Sequence, residues 1–159
     1  MSASAFALLK TVHVLSAMLL FGTGLGTAFH LWATHVRGEA GAIALAARNT
    51  VLADWLFTAT SGVVQPATGI ALVVAAGYDP AASWLVASYG LYVVAGGCWL
   101  AVVRLQLRVA RLAGHAAAGG LPLPAEYHSA MRAWLRLGWP AFFALLGTVW
   151  LMVAKPELW

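Results

Sequence analysis

The chain has 159 residues, of which 62% are hydrophobic and only 9% are charged. Soluble globular domains carry about 25% charged residues, so this composition excludes an ordinary soluble enzyme. The net charge of +4 accompanies long apolar stretches, so we interpret it as a membrane-topology signal and expect no nucleic-acid partner.

Four apolar segments follow one another along the chain, joined by one tight turn and two longer connections. Each reaches the ~20 residues that a helix needs to cross the hydrocarbon core of a bilayer. The segments run over residues 4–32, 51–78, 84–103 and 134–154. We predict an all-α membrane protein, an antiparallel four-helix transmembrane bundle, and expect residues 1–159 to form a single integral membrane domain.

The first segment begins with Lys10 and His13 and is rich in glycine further on. Gly22 and Gly26 are four residues apart and share one helix face, which is typical of helices that approach closely in lipid. We therefore expect another helix, in this chain or in a partner, to pack there. The connection 34–50 is rich in alanine and predicts a short interfacial helix.

The second segment is predicted to begin after a cap at Asn49 and Thr50. Pro66 cannot donate a backbone hydrogen bond, so we expect a kink there. Gln65 could donate its side-chain amide to the carbonyl that the proline leaves free. The helix of the third segment is predicted to protrude from the membrane until Gly119 and Gly120 break it.

Arginines mark one side of the predicted bundle. The connections between segments one and two and between segments three and four, with their flanks, contain seven arginines, whereas the side with both termini has only Lys10 and Lys155. Lys and Arg accumulate on the cytoplasmic side of membrane proteins. We therefore expect a multi-pass protein of the bacterial inner membrane with both termini in the periplasm, and arginines that meet anionic lipid headgroups.

His13 is the ionisable residue of the first segment with the most functional interest. Three interpretations stay open: a neutral histidine bonded to a neighbouring helix, an axial ligand of haem b, or a proton relay. No second histidine lies at the same depth on another segment. Met152, at a similar depth on the fourth segment, is the candidate for a second haem ligand.

A second candidate site lies on the arginine side, where His30 ends the first segment and His128 precedes the fourth. Such a pair could hold a haem iron or another metal ion, although interfacial histidines are often only solvated. The metal-ligand candidates are thus His13, His30 and His128. The single cysteine, Cys98, is expected to pack as a small apolar residue.

Several motifs resemble known families. The stretch 10–17, with the glycines and His30, is similar to the first span of the bacterial membrane protoporphyrinogen oxidases and of copper-resistance D-like proteins. Nearly the whole chain resembles an uncharacterised family of predicted four-span bacterial integral membrane proteins. The residues that match this family are Lys10, His13, Asp54, Trp55, Phe57, Thr58, Gln65, Pro66, Thr68, Gly69, Cys98, Trp99, Gln106, Arg108, Leu121, Pro122, Tyr127, His128, Trp134, Gly138 and residues 151–156.

The oxidase resemblance implies a haem near His13, whereas the lysine that this family has on a later helix is missing from the third segment. We therefore favour a haem-b-binding or redox-associated membrane protein and assign no catalytic residue. The alternative is a non-catalytic accessory subunit that packs against a larger membrane complex, or a homo-oligomer. Transport is less favoured because the chain has no inverted repeat.

Overall fold

The computed structural model describes residues 1–159 and contains four long helices. They are α1 (Ala3–Arg37), α2 (Ala40–Ala76), α3 (Ser83–Gly119) and α4 (Ala125–Ala154). All four are long and apolar enough to cross a membrane, and the chain has no strands. The predicted all-α bundle is therefore confirmed.

The bundle has two ends, which we name by their contents. The terminal side holds both chain termini and the α2–α3 turn, and the arginine side holds the α1–α2 and α3–α4 connections. At 1.5 Å per residue, the 37 residues of α3 extend over about 55 Å, which exceeds a hydrocarbon core of ~30 Å. The helix therefore protrudes on the arginine side and ends at Gly119, as predicted.

The connection between the first two spans is shorter than the sequence suggested. Gly38, with a φ of 80°, ends α1 in the left-handed conformation, and α2 begins two residues later at Ala40. The alanine-rich stretch contains no helix breaker, so it continues directly into the second span. The predicted cap at Asn49 and Thr50 was wrong: both residues lie within α2, and the Thr50 hydroxyl donates to the Ala46 carbonyl at 2.9 Å.

One turn of α2 is not α-helical. Residues Asp54–Thr58 form a π-helical turn, in which the Ala59 amide donates to the Asp54 carbonyl five residues back. Such turns accommodate one extra residue in a helix and are frequent at functional sites. The turn was not predicted, because nothing in local propensity distinguishes it from ordinary helix.

The main buried core lies towards the arginine side. All four helices contribute to it, and much of it belongs to the parts of α2, α3 and α4 outside the apolar segments predicted from the sequence. Its members are Leu31, Ile43, Ala44, Ala46, Ala47, Val102, Val109, Ala113, Tyr127, Ala130, Met131 and Trp134. Small alanines on α2 and α3 allow these helices to approach closely, while Tyr127 and Trp134 fill the remaining space.

The terminal side is stabilised by fewer contacts than the core on the arginine side. Val73, Trp84, Leu85 and Leu151 form a second apolar cluster. The Lys155 ammonium hydrogen-bonds to the Tyr78 hydroxyl and lies 5.8 Å from the centre of the Trp84 ring. These contacts join the ends of α2 and α4 to the beginning of α3.

Along the helices, many large apolar side chains point outwards. Val63, Val74, Val93 and Val153 are each more than 70% exposed. Apolar side chains on the outside of a bundle can contact lipid chains, so this pattern is consistent with helices in a bilayer. The seven arginines of the arginine side are all exposed as well.

Candidate functional site

Polar side chains line one face of α2. Asp54, Thr58, Ser61, Gln65 and Thr68 follow each other at intervals of four, three, four and three residues. This spacing keeps all five on one stripe of the helix. Four of them are buried and Thr68 is half-buried, so the stripe faces the other helices and not the lipid. We call these five residues the α2 polar stripe.

His13 on α1 contacts the end of this stripe that lies nearer the terminal side. Its ring Nδ1 lies 2.8 Å from the Thr68 hydroxyl, and the Gln65 amide donates to the His13 carbonyl at 2.8 Å. Gly69 leaves room for the ring, because a Cβ at this position would lie 3.3 Å from His13 Cε1. The sequence indicated no partner for His13, whereas in the structure His13 contacts Gln65, Thr68 and Gly69 of α2.

The Thr68 hydroxyl determines which His13 nitrogen bears hydrogen. Thr68 donates its only hydroxyl hydrogen to backbone carbonyls, with the Val64 oxygen at 2.7 Å. With its hydrogen on these carbonyls, Thr68 accepts from His13, which assigns the ring hydrogen to Nδ1. In a neutral imidazole, Nε2 then keeps a free lone pair, and this nitrogen makes no hydrogen bond within the chain.

The carbonyl released by Pro66 has a partner other than the predicted one. Pro66 cannot donate to the Gly62 carbonyl four residues back, and the Tyr92 hydroxyl of α3 donates to this oxygen instead. The Gln65 amide, which we had expected to fill this role, points to α1. The proline thus creates an acceptor that ties α2 to α3.

Asp54 lies at the opposite end of the stripe and was not among the predicted site residues. Its side chain is only 3% exposed, and its carboxylate accepts from the Thr58 hydroxyl at 2.9 Å. The Gln106 side chain of α3, also 3% exposed, lies beside the same carboxylate. A buried acid within a membrane span is a functional-site signal by itself, and this signal was available in the sequence.

The face of α3 that meets the stripe also has polar groups at regular spacing. Tyr92, Trp99 and Gln106 are seven residues apart and therefore lie on one side of α3. The Trp99 ring packs edge-on against the Trp55 ring, with 6.4 Å between the ring centres. Trp99 Nε1 and Gln106 Oε1 are buried without a hydrogen-bond partner in the chain. The interface between α2 and α3 therefore contains polar groups, some of which have no hydrogen-bond partner in the chain.

On the arginine side, the structure brings together a different histidine pair from the predicted one. His35 Nδ1 lies 2.8 Å from the buried Tyr127 hydroxyl, and the His35 ring lies 6.2 Å from that of His128. His30 is exposed, and its separation of five positions from His35 turns the two side chains about 140° apart on α1. No group of three His, Cys, Asp or Glu side chains has a metal-binding arrangement.

Met152, the predicted second haem ligand, packs beside the apolar cluster of the terminal side. It lies two residues before the end of α4, whereas His13 is opposite Thr68, eight residues before the end of α2. At 1.5 Å per residue, this places Met152 about 9 Å nearer the terminal side. Cys98 is half-buried on α3.

Residues 7–156 match the model of a family described as "Predicted integral membrane protein (DUF2269)". Comparisons with curated proteins and with solved structures found no match.

Proposed function

The chain belongs to the DUF2269 family of predicted integral membrane proteins, and we propose that it is a haem-b-binding, redox-associated protein of the bacterial inner membrane. His13 is the axial ligand in this proposal. The observation that supports it is the hydrogen bond between His13 Nδ1 and the Thr68 hydroxyl, 2.8 Å long. Histidines that bind metals typically donate their second ring nitrogen in this way.

The tautomer of His13 suits a metal ion. Nδ1–H is donated to Thr68, so Nε2 offers its lone pair. The Gln65 amide holds the backbone of His13 at the same time, which limits movement of the ring. A haem bound by Nε2 would supply one-electron chemistry, with the polarity of its surroundings setting the reduction potential.

None of the residues that contact His13 is assigned as a second ligand. Met152 stays the predicted ligand, although it lies nearer the terminal side than His13 does. His30 and His128 stay predicted ligands for a haem or metal ion on the arginine side, where His35 rather than His30 is the neighbour of His128. Variants of these residues distinguish the two locations.

The experiment is an absorption spectrum of protein expressed with ample haem supply and purified in detergent. We expect a Soret band in the wild type and its loss in His13→Ala. His115→Ala is the matched control, because His115 is exposed at the far end of α3. A wild type without a Soret band would exclude the proposal, and loss of the band in His30→Ala or His128→Ala would move the site to the arginine side.

We propose as the second candidate a non-catalytic accessory subunit of a larger membrane complex. The supporting observation is the glycine face of α1: Cβ atoms built at Gly22 and Gly26 would meet no atom of the chain within 4 Å. A helix of a partner can approach closely at such a face. Chemical cross-linking in native membranes tests this candidate, and a wild type that cross-links to no other chain would contradict it.

A further inference from the structure

We propose that Asp54 is a proton-binding site: its carboxyl group takes up and releases a proton inside the membrane. The inference is independent of any haem, because Asp54 and its hydrogen-bond partners make none of the contacts of His13. It concerns the end of the α2 polar stripe that lies nearer the arginine side.

The first argument is the environment of the carboxyl group. Asp54 is 3% exposed, and the polar side chains beside its carboxyl group, Thr58 and Gln106, are both neutral. Neutral donors orient a carboxylate but supply no countercharge. A buried charge without a countercharge is unfavourable, and binding a proton removes that charge.

The second argument is that the same two side chains suit the neutral acid. An Asn or Gln amide offers both a donor and an acceptor, and rotation by 180° exchanges them. Gln106 Oε1 is buried and has no hydrogen-bond partner in the chain. After such a rotation, this oxygen would accept the hydrogen of a protonated Asp54, so the site has a hydrogen-bonding arrangement for each charge state.

The third argument is the surroundings of the site. Asp54 begins the π-helical turn, and Thr58 and Ser61 continue the stripe towards the middle of the membrane. A proton that leaves Asp54 would therefore meet hydroxyl groups on the same face of α2. Acids in such positions are typical of proton-handling membrane proteins.

Other titratable groups near Asp54 are few. The π-helical turn packs against α1, which has no titratable residue between His13 and His30. On α3, Cys98 is half-buried, while Arg104 and Arg108, which flank Gln106, are exposed. The change in charge with pH is therefore expected to arise from Asp54 itself.

Dicyclohexylcarbodiimide tests the proposal, because this apolar reagent reacts with protonated carboxyl groups and reaches them from the membrane. The full-length protein in liposomes is treated over a series of pH values, and the label is located by peptide mass spectrometry. We expect label on Asp54 at low pH. Once the acid is mostly deprotonated, labelling should fall by about tenfold per pH unit.

Asp54→Asn should lose the label from this peptide, whereas Asp79→Asn, in the exposed α2–α3 turn, should leave labelling of Asp54 unchanged. Because the label is located in the wild type, the result does not depend on how either variant folds. Absence of label at every pH, or labelling that does not change with pH, would overturn the proposal. Protection by added Na⁺ at constant pH would also overturn it, in favour of a cation site.

Discussion

At the scale of single residues, Pro66 and Tyr92 form a pair that only the structure reveals. The proline leaves the Gly62 carbonyl without its helical donor, and the Tyr92 hydroxyl replaces that donor from α3. Side-chain hydrogen bonds between membrane helices contribute ~0.6 kcal/mol on average and at most about 1.7 kcal/mol. The pair therefore stabilises the bundle modestly but fixes how α2 and α3 are aligned.

We expect Tyr92→Phe to lower the free energy of unfolding by an amount in this range, measured by reversible unfolding in mixed detergent micelles. Tyr89→Phe is the control, since Tyr89 is 42% exposed and its hydroxyl donates to no group of the chain. Pro66→Ala restores a backbone donor for Gly62, so the combined variant should be less destabilised than the two single changes predict. Equal stabilities of Tyr92→Phe and Tyr89→Phe would contradict this account.

We expect substitutions of Thr68 to change the affinity of His13 for haem more than they change the stability of the fold. Thr68→Val keeps the shape of the side chain but removes the acceptor for Nδ1–H, whereas Thr68→Ser retains it. Changes of this kind around a metal ligand reduce affinity by about 10- to 100-fold. Haem titration of the purified variants measures the effect, and an unchanged affinity in Thr68→Val would argue against ligation by His13.

At the scale of the helix, the glycines of this chain fall into two classes. The faces at Gly22 and Gly26 are open, whereas a Cβ at Gly147 would lie 3.0 Å from Leu91 Cδ1. The expected packing at Gly22 and Gly26 is thus not found within the chain. We therefore expect either a partner protein or lipid to contact that face.

We expect Gly147→Leu to destabilise the protein by about 1–3 kcal/mol, because the larger side chain overpacks the contact between α3 and α4. Gly26→Leu should change the stability of the isolated chain by less than about 0.5 kcal/mol. Unfolding of both variants in detergent measures the difference. If Gly26→Leu weakens cross-linking to another chain while it leaves unfolding unchanged, that face is an interface.

The sequence was sufficient to predict the four apolar helices and the end of α3 at Gly119. It drew attention to His13 and Gln65 but did not predict their contacts. Hydropathy and the missing backbone donor of a proline are local properties. The partners Thr68 and Tyr92 were not predicted, because they depend on the rotation of each helix about its axis. The π-helical turn at Asp54 adds one residue to a turn of α2 and so rotates the rest of the helix, and nothing in the local sequence indicates it.

At the scale of the whole molecule, charge asymmetry predicts orientation. The seven exposed arginines lie on one side, which is expected to be cytoplasmic. Reporter fusions test this: a reporter fused after Trp159 should indicate the periplasm, and one inserted at Gly119 should indicate the cytoplasm. The reverse pattern would place Asp54 near the periplasmic surface and His13 near the cytoplasmic one.

Much of the core that includes Tyr127 and Val109 lies beyond the apolar segments, so we expect water, and not lipid, to surround this part of the bundle. Urea weakens apolar burial in water but has less influence on helices that lipid surrounds. Denaturant should therefore separate the helix ends on the arginine side while the four spans stay inserted. The helix ends on the arginine side and the four spans are then expected to unfold with different free energies, so a single melting temperature would describe neither part.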